Sequence, residues 1–179
     1  IGTCTVIGFP SGSPATACKV FEARQSLADG ATELDMVVNV GAALGENWAY
    51  VRHDVASVVE IAHASNAIVK VIFETDFLTH DRHKIRLCEI CTEVGADFVK
   101  TSTGFHPAGG ATEHAGALMA ATGGGRLGVK ASGGIRTGAV ALAMIAAGAT
   151  RLGVSGSAAV LGSLDSAGTD DEAGASGGY

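Results

Sequence analysis

Two lysines stand at matching places in two short apolar runs: Lys100 in D-F-V-K-T-S-T-G (97–104) and Lys130 in L-G-V-K-A-S-G-G (127–134). Each is followed at once by small, hydroxylated or glycine residues, so each run carries its cation at the point where a loop begins. Either lysine alone can be read as an amine that snorkels to water from a strand end. A pair brought into one partly desolvated pocket behaves differently, because each ammonium disfavours charge on the other. A free lysine with a pKa near 10.4 is neutral in about one molecule in 2,500 at pH 7, so restoring the neutral amine is worth up to ~4.6 kcal/mol. An amine freed in this way is a nucleophile toward carbonyl carbon and forms a Schiff base.

Asp35 supplies the complementary charge. It interrupts T-E-L-D-M-V-V-N-V (32–40), among apolar neighbours. Buried carboxylates are rare unless paired, so a lysine from an adjacent strand is the expected partner. A structural ion pair is one outcome, and proton transfer beside a reacting amine is the other. Lys70, in I-V-K-V-I-F-E-T (68–75), lies nearer the start of its run and is assigned no chemistry. The segments S-G-G-I-R-T (132–137) and G-V-S-G-S (153–157) each follow a strand and precede a helix. Both can present bare backbone N–H groups to an anion.

Other chemistry finds less support. The six histidines form no convincing metal constellation; His80 and His83 make an H-x-x-H, and solvated surface positions are expected for the set. Cys88 and Cys91 make a C-x-x-C inside a helical pattern without a second ligand pair, which points to core or helix-face positions. G-F-P-S-G-S (8–13) has the spacing of neither a nucleophile elbow nor a phosphate-binding Walker loop.

The elements that must position these groups alternate. Strand-like runs occur at 3–9, 32–40, 68–75, 96–101, 127–132 and 151–155, separated by amphipathic, alanine-rich stretches near 15–29, 47–65, 81–94, 112–122 and 137–147. Such alternation predicts a parallel sheet built from βα units. An internal repeat, A-D-G-A-T (28–32), V-G-A-D (94–97) and A-G-A-T (147–150), places a Gly-Ala where each helix ends and a strand begins, with the glycine as C-cap. Strand spacing of about 30 residues matches the unit length of an eight-unit α/β barrel of about 250 residues. Lys100 and Lys130 then belong to the C-terminal face of the sheet, where barrels carry their chemistry, and the two glycine loops fall where phosphate commonly binds. Six units are expected in residues 1–162, followed by a flexible polar tail over 163–179 that ends in Tyr179.

The bulk composition narrows the partners. The chain has 179 residues, 47% hydrophobic and 17% charged, with a formal charge of −6 and no Lys/Arg cluster. That gives no electrostatic footprint for nucleic acid or an anionic membrane surface, and favours a small-molecule partner. No apolar run reaches the roughly 20 residues of a membrane span, and four cysteines make no disulfide framework, so a cytoplasmic setting is expected.

Five ordered motifs carry a family resemblance: T-V-I-G-F-P-S-G (5–12), E-L-D-M-V-V-N-V-G (33–41), K-V-I-F-E-T (70–75), G-A-D-F-V-K-T-S-T-G-F (95–105) and V-K-A-S-G-G-I-R-T (129–137). With them the chain closely resembles the deoxyribose-phosphate aldolases, class I aldolases on a (β/α)₈ TIM barrel. The resemblance implies reversible cleavage of 2-deoxy-D-ribose 5-phosphate to acetaldehyde and D-glyceraldehyde 3-phosphate, without metal or organic cofactor. It implies Lys100 as the Schiff-base lysine, Lys130 as the lysine that keeps it neutral, and Asp35 as the aspartate of the proton relay. Thr103 would line the sugar pocket; Gly104, Gly133, Gly134 and Ser155 would bind the phosphate; Tyr179 would assist proton transfer. The family's first two βα units have no counterpart before Ile1, so the barrel is expected to be incomplete. A homo-oligomer is compatible with this reading. Two alternatives stay open at this stage: a phosphosugar isomerase or epimerase on the same barrel, which would not need two lysines at strand ends, and a non-catalytic phosphosugar-binding remnant.

Overall fold

A computed structural model describes residues 1–107 and 109–167. Six parallel strands run in sequence order across one sheet: β1 (Cys4–Ile7), β2 (Glu33–Val37), β3 (Ile68–Ile72), β4 (Phe98–Lys100), β5 (Gly128–Ser132) and β6 (Arg151–Gly153). Every expected strand is present, shortened to the residues that pair on both sides of the turn signals. Among the described residues β1 and β6 are the two edges of the sheet.

Among the described residues seven helices connect and follow the strands: α1 (Thr16–Ala28), α2 (Val40–Leu44), α3 (Trp48–Ala64), α4 (Asp81–Val94), α5 (Glu113–Gly123), α6 (Gly138–Ala146) and α7 (Ser157–Ala167). The five long stretches read from periodicity are helical. The periodic pattern misses α2, a single short turn whose start is set by Asn39 accepting from the Ala42 N–H. It also misses α7, where glycine and serine hide the period; this helix includes residues 163–167, which the composition assigns to the polar tail. Thr112 and Thr137 cap α5 and α6 in the same side-chain manner as Asn39.

The repeated Gly-Ala needs one correction. Gly95 is itself the left-handed C-cap of α4, but Asp29 and Ala147 cap α1 and α6, and Gly30 and Gly148 follow one residue later with φ of 101° and 103°. The glycine requirement survives, because the chain still reverses through a positive φ there.

Alternation along each strand divides the two faces of the sheet. Leu34 and Met36, Val69 and Val71, Val99 and Val129 join Val51, Val55, Val58, Leu87, Cys88, Cys91 and Met119 of the helices in one buried cluster. Asp35, Lys70, Lys100 and Lys130 occupy the opposite phase, on the other face of the sheet. Cys88 and Cys91 are therefore core residues, and burial pushes the Cys88 thiol up to about 12. A second cluster, including Ala131, Ile135, Met144 and Val160, seats α6 and α7 near the end of the sheet. Between α1 and α3 the fully buried Lys19 pairs with Asp54 at 2.6 Å and donates to the Val37 carbonyl, so this helix pair is locked to β2 by a charge.

Candidate active site

Parallel pairing sets Lys100 level with Lys130, and Asp35 level with Lys70. Lys100 is the last residue of β4, whereas Lys130 stands in the middle of β5; register, not distance from the strand end, aligns them. One carboxylate gathers all three amines. Oδ2 of Asp35 accepts from Lys100 Nζ at 2.8 Å and from Lys130 Nζ at 2.7 Å, while Oδ1 accepts from Lys70 Nζ at 2.9 Å. Lys70 also contacts Glu33 Oε2 at 2.5 Å and Cys4 Sγ at 3.5 Å.

Lys70 is thus a residue that the sequence reading set aside at the structural end of its strand, and the structure brings it into the charged cluster. Its long side chain rises from mid-strand, 0% exposed, to the carboxylate that the other two lysines share. The signal was present in the sequence as a third cation inside an apolar run, but its partner depends on the β2–β3 register.

The electrostatics follow from burial against charge. Burial pushes the Asp35 carboxyl up, but the Lys100 and Lys130 ammonium groups outweigh it and hold the carboxyl well below the usual carboxylate range. For Lys100 the balance falls the other way. Burial lowers its pKa, the Asp35 carboxylate opposes that, and Lys130 lowers it further, so the net shift is downward despite the ion pair. Burial is the larger influence, whereas the pairing of two lysines alone had suggested repulsion as the cause. Lys70 is displaced upward: its burial is outweighed by Glu33 and Asp35.

Above the lysines lies a cleft of about 430 Å³ lined by Lys100, Thr103, Gly104, Lys130, Gly133, Gly134 and Ser155. Ser132, Phe105 and Arg136 also line it; none of these three is singled out by sequence alone. Asp35 does not line the cleft itself but accepts from two side chains that do, Lys100 and Lys130. Tyr179 lies outside the described residues. The loops after β4 and β5 approach through glycines: a Cβ on Gly133, at φ of 85°, would come within 3.0 Å of the Gly110 Cα, and the Ala111 N–H donates to the Gly133 carbonyl at 3.0 Å. With bare backbone at Gly104, Gly133 and Gly134, and the α7 N-terminus just beyond Ser155, this end of the cleft can hold an anion.

Of the histidines, five are at least partly exposed, but His83 is buried against Trp48 and Glu46 and not solvated as expected. The reason is its helix phase: α4 turns that position inward, beside the buried Lys84 and Leu87.

Comparison with known proteins agrees with this geometry. The family model for the DeoC/LacD family aldolases matches residues 3–166. The chain is 51% identical over 161 residues to the deoxyribose-phosphate aldolase of Thermococcus kodakarensis, covering 90% of this chain and 71% of that one. It is 54% identical over 167 residues to the deoxyribose-phosphate aldolase of Mycolicibacterium paratuberculosis, covering 92% and 74%. In structure it superposes on the aldolase QR15 with a TM-score of 0.86 at 39% identity, covering 95% of this chain and 75% of that one. It also superposes on the tetrameric deoxyribose phosphate aldolase of Aeropyrum pernix with a TM-score of 0.84 at 38% identity, covering 93% and 69%. The six-stranded parallel sheet that carries the two lysines and the aspartate has the fold of these aldolases, and the chain belongs to the DeoC/LacD aldolase family.

Proposed function

We propose that this protein is a Schiff-base aldolase that reversibly cleaves 2-deoxy-D-ribose 5-phosphate to acetaldehyde and D-glyceraldehyde 3-phosphate. The observation that carries the reading is the Asp35 carboxylate bridging Lys100 and Lys130 at 2.8 and 2.7 Å beneath a cleft with an anion-binding end. An isomerase or epimerase has no use for such a pair of lysines, and a binding remnant would not need an amine whose pKa is depressed.

In this reading the neutral Lys100 amine attacks C1 of the open-chain sugar, and the carbinolamine loses water to give an iminium. That cation is the electron sink for the next step. Loss of the C3 hydroxyl proton drives the C3 oxygen to a carbonyl as the C2–C3 bond breaks, and its electron pair becomes the enamine on Lys100. Protonation at C2 and hydrolysis of the resulting iminium release acetaldehyde. Lys130 disfavours a second positive charge at Lys100 and, with Asp35, provides a short proton path. Thr103 lines the sugar, and Gly104, Gly133, Gly134 and Ser155 hold the phosphate. Tyr179 is assigned an assisting role in proton transfer through the family resemblance alone. We further infer that closure of an eight-stranded barrel requires two more βα units between β6 and β1, since an open parallel sheet leaves both edge strands and apolar packing surface uncovered.

The test is reductive trapping. Incubation with acetaldehyde and borohydride, followed by digestion and mass spectrometry, should place an ethyl group on Lys100. An adduct confined to another lysine, or a folded protein that forms none, would remove the assignment.

A further inference from the structure

Glu74 lies just beyond β3, is 3% exposed and adopts φ of +55°, a left-handed conformation unusual for a residue with a Cβ. The flanking residues hold it there: the Phe73 N–H donates to the Lys100 carbonyl at 2.9 Å and the Thr75 N–H to the Thr101 carbonyl at 3.0 Å. The turn directs the Glu74 side chain toward the loop that follows β4. There its carboxylate takes both donors of one residue: the Thr103 N–H reaches Oε1 at 3.1 Å, and the Thr103 hydroxyl donates to Oε2. The Thr103 oxygen in turn accepts from the Phe105 N–H at 3.1 Å.

These bonds account for the hydroxyl almost completely. A threonine hydroxyl has one proton and two lone pairs. Glu74 takes the proton and Phe105 one lone pair, which leaves a single lone pair in a side chain that lines the cleft beside Lys100 and Lys130. We propose that Glu74 is a positioning residue that fixes the polarity of Thr103, so that Thr103 can only accept a hydrogen bond in the cleft and thereby selects a substrate bearing a hydroxyl between its reacting carbon and its phosphate. The inference rests on the aldolase reading above. Thr103 lines the cleft together with Lys100, which in that reading holds the two-carbon donor, and with Gly104, at the anion-binding end. The substrate group assigned to it is the hydroxyl on the carbon next to the acceptor aldehyde. A carbonyl, ether or fluorine there would meet a lone pair with a lone pair.

Substitution Glu74→Gln reverses this arrangement at almost constant shape. The amide oxygen must face the Thr103 N–H, so the amide nitrogen faces the Thr103 oxygen and donates to it. Both lone pairs of Thr103 are then occupied and its proton turns into the cleft.

The experiment compares kcat/KM for addition of acetaldehyde to D-glyceraldehyde 3-phosphate and to its analogue with fluorine in place of the 2-hydroxyl. Intrinsic reactivity cancels when the ratio for a variant is divided by the ratio for the wild type. Glu74→Gln should shift that ratio toward the fluorinated acceptor by about tenfold. Thr103→Val should also shift it, and in a Thr103→Val background Glu74→Gln should change it no further. An unchanged ratio in Glu74→Gln with both rates lowered alike would show a structural role only and overturn the proposal. If Glu74→Gln does not fold, an unchanged ratio in Thr103→Val overturns it equally. Wild-type protein that adds acetaldehyde to neither acceptor and gives no ethyl adduct on Lys100 would instead overturn the aldolase reading, and this inference with it.

Discussion

At the scale of single residues, the central feature is a buried carboxylate shared by three amines with different fates. Lys70 and Lys130 flank Asp35 from the neighbouring strand and from across the sheet, and Lys100 is the one whose charge is disfavoured. Removing Lys130 deletes one of the influences that lower the Lys100 pKa. Lys130→Leu should therefore move the rise of activity with pH toward higher pH, reduce the rate at pH 7 by about tenfold or more, and recover part of it near pH 9. A pH–rate profile checks this; a rate lowered by the same factor at every pH would show that Lys130 only supports the fold. Lys100 and Lys130 were legible in the sequence because they end two apolar runs at matching places, and Asp35 because it breaks one, which is costly without a partner. Lys70 breaks one as well, but the identity of its partners depended on a pairing register that no local pattern reveals.

Among the elements, two loops and their glycines decide the shape of the cleft. The loops after β4 and β5 meet at Gly110 and Gly133, where the backbones pass too closely for a side chain. Gly133→Ala would place a Cβ 3.0 Å from the Gly110 Cα and would strain a residue at φ of 85°. The expected result is a KM for the phosphorylated substrate raised about tenfold or more, with ethyl trapping on Lys100 by unphosphorylated acetaldehyde retained. Steady-state kinetics beside the trapping assay separate the two; equal loss of both would mean that the substitution displaces the lysines as well. The glycine loops could be found from their position after strands, whereas Glu74 could not. Its neighbours K-V-I-F-E-T read as the end of a strand, and only a left-handed turn at Glu74 sends its carboxylate to Thr103.

For the whole molecule, the buried charges link stability to pH. Asp35 is held well below its ordinary value of 3.8, so its contribution is fully present above that pH and is lost as pH falls below it. Glu33, lowered chiefly by its hydrogen bond from Lys70, acts in the same direction but is more exposed. Lys100 has the opposite sign: its lowered pKa means that the unfolded chain binds the proton more tightly, a penalty fully present below the folded value and relieved as pH rises from there to the unfolded value. Urea unfolding should consequently show midpoints that fall steeply below about pH 4. Asp35→Asn should flatten that acid limb and cost ~3–5 kcal/mol at pH 7, because three amines lose the carboxylate they share. An acid limb unchanged in Asp35→Asn would assign it to other carboxylates.

The sequence by itself determined the order of the six strands and of five of the seven helices described, the parallel sense of the sheet and the presence of a lysine pair with a carboxylate to neutralise. Those properties follow from local periodicity, from turn chemistry and from the cost of burying an unpaired charge. The tertiary structure alone decided which groups meet: the Lys70 contact with Asp35, the inward turn of His83, the lock of Lys19 on Asp54 and the grip of Glu74 on Thr103. Each of these joins residues far apart in the chain through strand register, helix phase or a positive backbone angle. Such quantities are set by packing all the elements at once, so no short stretch of sequence contains them.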